Sequence, residues 1–375
     1  FKKMKYNSEN NIDPQNFKFY KTISSEIFSD NFYNNRACIF NSFKDDNIYI
    51  VYGVSSLNLE CYDLIKENKF IIIKKIHSKP FESCRHFFDE TNIRDLIITS
   101  SFDSHVKIVN FMLEDSNIII DLFFESDFGL IINTAYFINN NKIIVPFSNK
   151  DDGVIELYTM NSILIGKIDD AGFILGLSTF YWKEINKYFI IIANMEGVIA
   201  YNESDLTVYK KFIPSFEDNI IGFCESIIIE KNDNIILITP CFYKSHLFFW
   251  DFKNGCMMNK TFLESGISDI CLWDNEYILV SYNESISHKF ILMNTKNNKI
   301  EKKYSDNARN YFSICGIKVI RHKTKGDYII TSTMKGKLNL YKIYKQKSLS
   351  ISPIYMSSIC LFFILFLSYI IKKYI

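Results

Sequence analysis

Apolar positions recur at period 2 in short runs from one end of the chain to the other, and no soluble stretch carries the spacing of an amphipathic helix. One kind of run repeats: a short apolar stretch after a polar turn, closing in small or polar residues. It is met at Ile48–Gly53, Leu96–Ser100, Ile143–Ser148, Phe189–Asn194, Ile235–Pro240, Tyr277–Ser281 and Tyr328–Thr333. Across a further polar turn, each run leads to a second strand ending in a bulky residue. These residues are Tyr62, Val109, Tyr158, Tyr201, Trp250, Met293 and Tyr341, roughly 43 to 49 residues apart. Seven such units fill residues 17–343.

A period near 40–45 residues built from short strands is the mark of a β-propeller, in which four-stranded blades pack face to face around a channel. Strands covered on both faces read as continuous apolar runs, whereas outer strands turn polar, as Phe70–Ile76 does towards its end. Pro146 and Pro240 are expected at strand ends, where no ladder hydrogen bond is needed. Ring closure is expected from Phe17–Ile23, which precedes the first unit and has no blade of its own. It is assigned as the outer strand of blade seven. The expected fold is therefore all-β: a seven-bladed propeller closed by an N-terminal strand.

Residues 76–111, IHSKPFESCRHFFDETNIRDLIITSSFDSHVKIVNF, form the best single unit and resemble a WD40 repeat. In that family a His opens the unit, a Ser or Thr lies in the second strand, an Asp sits in the next turn and Trp-Asp ends the third strand. The resemblance places His77, Ser100 and Asp103 in the first three positions, with Val109-Asn110 where Trp-Asp would stand. Trp250-Asp251 matches the family dipeptide, and Tyr62-Asp63 is the nearest substitute. Trp273-Asp274 precedes a second strand and so falls outside the pattern. The roles implied for His77 and Asp103 are structural, bracing loops by hydrogen bonds.

After Lys347 no charge occurs until Lys372, and 354–371 (IYMSSICLFFILFLSYII) is long and apolar enough to cross a bilayer as a helix. The chain is thus expected to divide into an extension (1–16), the propeller (17–343), a juxtamembrane linker (344–353), a transmembrane helix (354–371) and a short tail (372–375). A helix so near the end of the chain favours insertion after synthesis. That leaves the propeller in the cytosol, with the endoplasmic reticulum the favoured membrane.

Composition trims the alternatives. The 43 Lys and Arg balance 42 Asp and Glu, so nothing suggests a nucleic-acid partner. Nine scattered cysteines without C-x-x-C spacing suggest buried thiols in a reducing compartment. The six histidines lack ligand spacing, and no phosphate loop or nucleophile elbow is present, so no cofactor, metal, small-molecule substrate or catalytic role is expected.

The expected function is a membrane-anchored scaffold that binds protein partners through the propeller loops. The candidate contact residues are Phe81, Phe102, His105, Tyr243 and Lys244, since aromatic residues dominate binding hot spots. The alternative is an exchange factor for the small GTPase of coat-protein vesicles, which shares this layout. That family carries a glycine-rich loop in its first blade, with no counterpart between Asn31 and Val54.

Overall fold

The computed structural model describes residues 17–24, 37–124, 131–132, 135–139, 142–148, 153–215, 222–231, 234–242, 244–274, 276–282, 290–304, 314–322, 324, 326–333 and 337–343. Lys18–Lys342 form one compact unit. It is an all-β, seven-bladed propeller of seven antiparallel sheets. Blade 1 runs outward through Cys38–Asn41, Ile48–Gly53, Leu59–Asp63 and Asn68–Ile73. Blade 2 runs through Phe81–Asp89, Arg94–Ser101, His105–Asn110 and Asn117–Phe123. Blades 3 to 6 repeat the order, ending in Leu164–Ile168, Val208–Phe212, Met257–Phe262 and Lys299–Tyr304.

The apolar runs are the second strands of the blades. Ile48–Gly53 is buried along its whole length, while the fourth strand Asn68–Ile73 mixes exposed and half-buried positions and is nowhere fully buried. Alternation explains why a second strand is apolar at every position. Successive side chains point to opposite faces, and each face meets a different neighbour. Ile235 and Leu237 enter the core shared with blade 4, whereas Ile236 and Ile238 pack towards blade 6. Similarly, Tyr49 and Val51 pack against blade 2, and Ile48, Ile50 and Tyr52 against blade 7.

Phe17–Ser24 supplies the fourth strand of blade 7, beside Leu338–Ile343, Gly326–Thr333 and Ile314–His322. It also reaches blade 1: Tyr20 Oη donates to Glu67 at 2.5 Å and Lys21 Nζ pairs with the same carboxylate at 2.8 Å. Tyr20 and Ile23 pack against the core between blades 7 and 1.

One local feature differs from expectation. Pro240 does end its strand, but Pro146 lies within Lys142–Ser148. On its inner side Ile132 pairs with Phe147 and Tyr136 with Ile144, and among the described residues none pairs there with Pro146. A missing N–H is tolerated where no acceptor stands opposite. In blades 2 to 6 the bulky residue near the end of the third strand also marks a register shift against the fourth, at Val109, Tyr158, Tyr201, Trp250 and Met293.

Deleting residues 1–24 should strip blade 7 of its fourth strand and expose a pairing edge. The expected loss is about 2–4 kcal/mol, the scale for removing a few packed apolar side chains, read as a lower thermal midpoint with self-association on gel filtration. An unchanged, monomeric melt would show that the ring does not depend on this strand.

Candidate functional site

Strand order fixes two faces. Turns between second and third strands, and connections from one blade to the next, emerge on one side, called the upper face below. The remaining turns emerge on the lower face.

On the upper face of blade 2 a polar brace joins two loops. His77, in the connection entering the blade, is 3% exposed. Its Nδ1 donates to the Asp103 carboxylate, 3.1 Å from each oxygen, and Nε2 lies 2.9 Å from Thr99 Oγ1. Asp103 also accepts from the backbone N–H of Ser78 at 2.7 Å and of His105 at 3.1 Å. Burial alone would raise the Asp103 carboxyl. The His77 hydrogen bond and charge, with the two backbone donors, outweigh it and hold the group well below the usual carboxylate range. Ser101 Oγ lies 2.9 Å from the carbonyls of both Lys79 and Pro80, tying the same loops together.

The residue that meets His77 is Thr99, not Ser100. Adjacent strand residues face opposite ways, so only one of the two reaches the ring, and Ser100 Oγ instead pairs with Ser83 Oγ at 2.7 Å. Register gives Thr239 in blade 5 and Thr331 in blade 7 the same place as Thr99, each two residues beyond the partner of the bulky third-strand residue. Thr239 Oγ1 accepts from Trp250 Nε1 at 2.9 Å, whereas buried Thr331 Oγ1 meets no partner among the described residues. Blade 2 therefore carries a bonded His–Asp–Thr set above Val109, and blade 5 a bonded Thr–Trp pair. Tyr62 is buried in blade 1. Asp63 and Asp251 each cap a lower-face turn through two backbone N–H groups, at 2.9 to 3.1 Å. Asp274 caps a first-to-second-strand turn instead, in keeping with its place outside the pattern.

The contact residues separate into interior and surface. Phe81 is 1% exposed and packs in the core of blades 1 and 2, its ring edge-on to His77 at 5.0 Å. It is removed as a partner contact, because this first-strand position is filled by the neighbouring blade. A Cβ at Gly53 would lie only 2.2 Å from its ring. Phe102 and His105 are half-buried and Lys244 is exposed, while Tyr243 falls outside the described residues. His105 Nδ1 donates to Asp121 at 2.6 Å, and its ring tilts against Phe123, which is 60% exposed. Blade 5 repeats this pair: His246 faces Phe262, 71% exposed, across the same strands. Aligning the His105 and His246 units would have revealed these exposed phenylalanines in the sequence.

Inside the ring, charges from opposite blades meet. Arg85 on the first strand of blade 2 pairs with Glu225 at the entry to blade 5, and its guanidinium sits 4.6 Å from the centre of the Tyr136 ring of blade 3. Lys318 of blade 7 lies 3.6 Å from Asp269 of blade 6 and 3.9 Å from Glu225. Asp269 also accepts from Ile317 N at 3.0 Å. These acids thus face cations. Nearby Cys271 has its thiol pushed up to about 12 by burial, which keeps it protonated. Among the described residues no three His, Cys, Asp or Glu side chains are grouped to hold a metal ion. A cavity of about 540 Å³ opens between blades 2 and 3, away from the upper loops, beside Asp89, Arg94, Ile119 and Met160. Asp89 there is already engaged by Arg94 and Asn92.

No family model matches the chain, and no curated protein matches it in sequence. Among solved structures it is similar to a chain of the crystal structure of the mitotic checkpoint complex, with a TM-score of 0.61 at 8% identity, covering 86% of this chain and 96% of that one. It is also similar to a chain in the crystal structure of BBS1N in complex with ARL6DN, soaked with mercury. There the TM-score is 0.61 at 9% identity, covering 88% of this chain and 98% of that one. At such identities the likeness shows the propeller fold.

Thr239→Val should cost about 1–3 kcal/mol by orphaning the Trp250 N–H, while Thr331→Val should be neutral or stabilising; urea unfolding of both decides, and equal losses would refute the assignment. Asp103→Asn should destabilise at pH 7. Because the native carboxyl lies below its unfolded value of about 3.9, its contribution is present above that value and fades as pH falls towards the native one. The gap between wild type and variant should therefore narrow below about pH 4, and a constant gap from pH 7 to 3 would contradict it.

Proposed function

We propose that this chain is a non-catalytic, membrane-anchored interaction platform of the WD40 type, with a protein partner held on its upper face and the propeller in the cytosol. The observation that carries the reading is the braced loop pair of blade 2. The His77–Asp103 bonds tie the turn that carries Phe102 to the loop entering the blade, and Phe123 stands exposed beside them. Ordered aromatic surface loses little entropy on binding, which favours affinity. The two similar structures come from a complex and from a chain in complex with another protein. That supports a binding role here.

Support for the membrane comes from the 18-residue apolar segment 354–371, which lies outside the described residues. The lower face also carries exposed apolar side chains. Its turns in blades 1 to 4 end in exposed Phe43, Ile65, Ile93, Leu113, Ile163 and Ile185. Ile93 holds a left-handed backbone (φ 49°) that a β-branched residue adopts only at a cost. The last described strand, Leu338–Ile343, runs towards this same face. As for the exchange-factor alternative, the first two strands of blade 1 are joined by a tight turn at 42–47, closed by Ser42 N–H donating to Asn47 O at 2.8 Å. Residues 25–36 are outside the description, and no observation favours that reading.

In cells making the full chain, the triple change Phe102→Ala, His105→Ala, Phe123→Ala should weaken partner recovery at least about tenfold without moving the protein from the membrane fraction. Removal of 354–375 should do the converse, releasing a soluble propeller that still recovers its partner. Partners unaffected by the triple change would sink the upper-face assignment.

A further inference from the structure

The first strands of blades 1 and 2 carry one thiol each, and the two meet. Cys38 Sγ and Cys84 Sγ lie 3.5 Å apart although 46 residues separate them in the chain. Both side chains are buried, at 6% and 1% exposure, within the core that the two blades share. Cys61, the third thiol of that core, sits on the third strand of blade 1, farther out from the channel. Burial and the contact with Cys84 raise the Cys38 thiol, and neither side chain is open to a reagent in the closed fold; exchange must pass through an opened or folding state.

We propose that Cys38 and Cys84 are a latent covalent joint between blades 1 and 2, closed by a low-molecular-weight disulfide such as oxidised glutathione. One cysteine thiolate attacks a sulfur of glutathione disulfide, breaking its S–S bond, expelling one glutathione thiolate and leaving a mixed disulfide. The second cysteine thiolate attacks the protein sulfur of that bond and expels the other glutathione. The protein loses two thiol protons and two electrons; two glutathiones carry them away. The product links the inner edges of two blades around a segment containing all of blade 1 and the His77 loop. Cross-linking so long a segment restricts the unfolded chain and stabilises the ring. The pair stays reduced where glutathione is reduced and closes where it is oxidised. The joint thus records which compartment the propeller folded in, and this inference stands on the side-chain geometry whether or not 354–371 spans a membrane.

The test refolds the full-length protein, in detergent, with oxidised or with reduced glutathione, followed by trypsin without reductant and mass spectrometry. The expected result is a linked pair of peptides, 37–44 and 76–85, in the oxidised sample alone. Two of the nine thiols should be lost to titration, and the melting temperature should rise by several degrees. Cys38→Ser and Cys84→Ser should each abolish the link and the rise, and Cys61→Ser should keep both. Linkage through Cys61, random pairing, or no link after oxidative refolding would overturn the proposal.

Discussion

The constraint on which this molecule rests is that every blade must be covered on both faces at once. A four-stranded sheet whose second and third strands are apolar throughout is insoluble alone and only half satisfied by one neighbour. Ile236 and Ile238 need blade 6 as much as Ile235 and Leu237 need blade 4. A row of such sheets leaves two apolar faces at its ends, and bending the row into a ring removes both. The seam is the one place where the chain must supply this contact twice, and it does so with Phe17–Ser24, which completes blade 7 and bonds to Glu67 of blade 1.

With apolar packing fixing the ring, polar groups are left to fix details, and the sequence keeps only as many as the details require. Buried polar bonds at the equivalent positions are few: three groups join in blade 2, two in blade 5, and in blade 7 the threonine has no partner among the described residues. The other blades are held by their cores. In blade 2 the brace orders an upper loop beside exposed aromatic surface. Charges in the channel follow the same economy, since Arg85, Glu225, Lys318 and Asp269 come from four blades and neutralise one another.

The blade count and the outer-strand seam were legible because each rests on period: two along a strand and about 45 along the chain. Choices finer than one residue were not legible. Thr99 and Ser100 are adjacent hydroxyls, and only register says which one faces His77. Phe81 reads as a loop aromatic until blade 1 is seen to close over it through Gly53. The break opposite Pro146 and the meeting of Cys38 with Cys84 are relations between strands that composition does not encode. Tyr243 and the segment 354–371 lie outside the described residues, so the sequence remains their main witness.

We propose a propeller held at a membrane with its loops turned to the cytosol. The most direct measurement is protease protection on intact organelles, with the full chain tagged at its N-terminus and the membrane fraction washed in alkaline carbonate. The expected result is that tag and propeller are digested while the membranes stay sealed, and that a small C-terminal fragment resists the carbonate wash. A propeller shielded until detergent is added, or a chain released by carbonate, would contradict it.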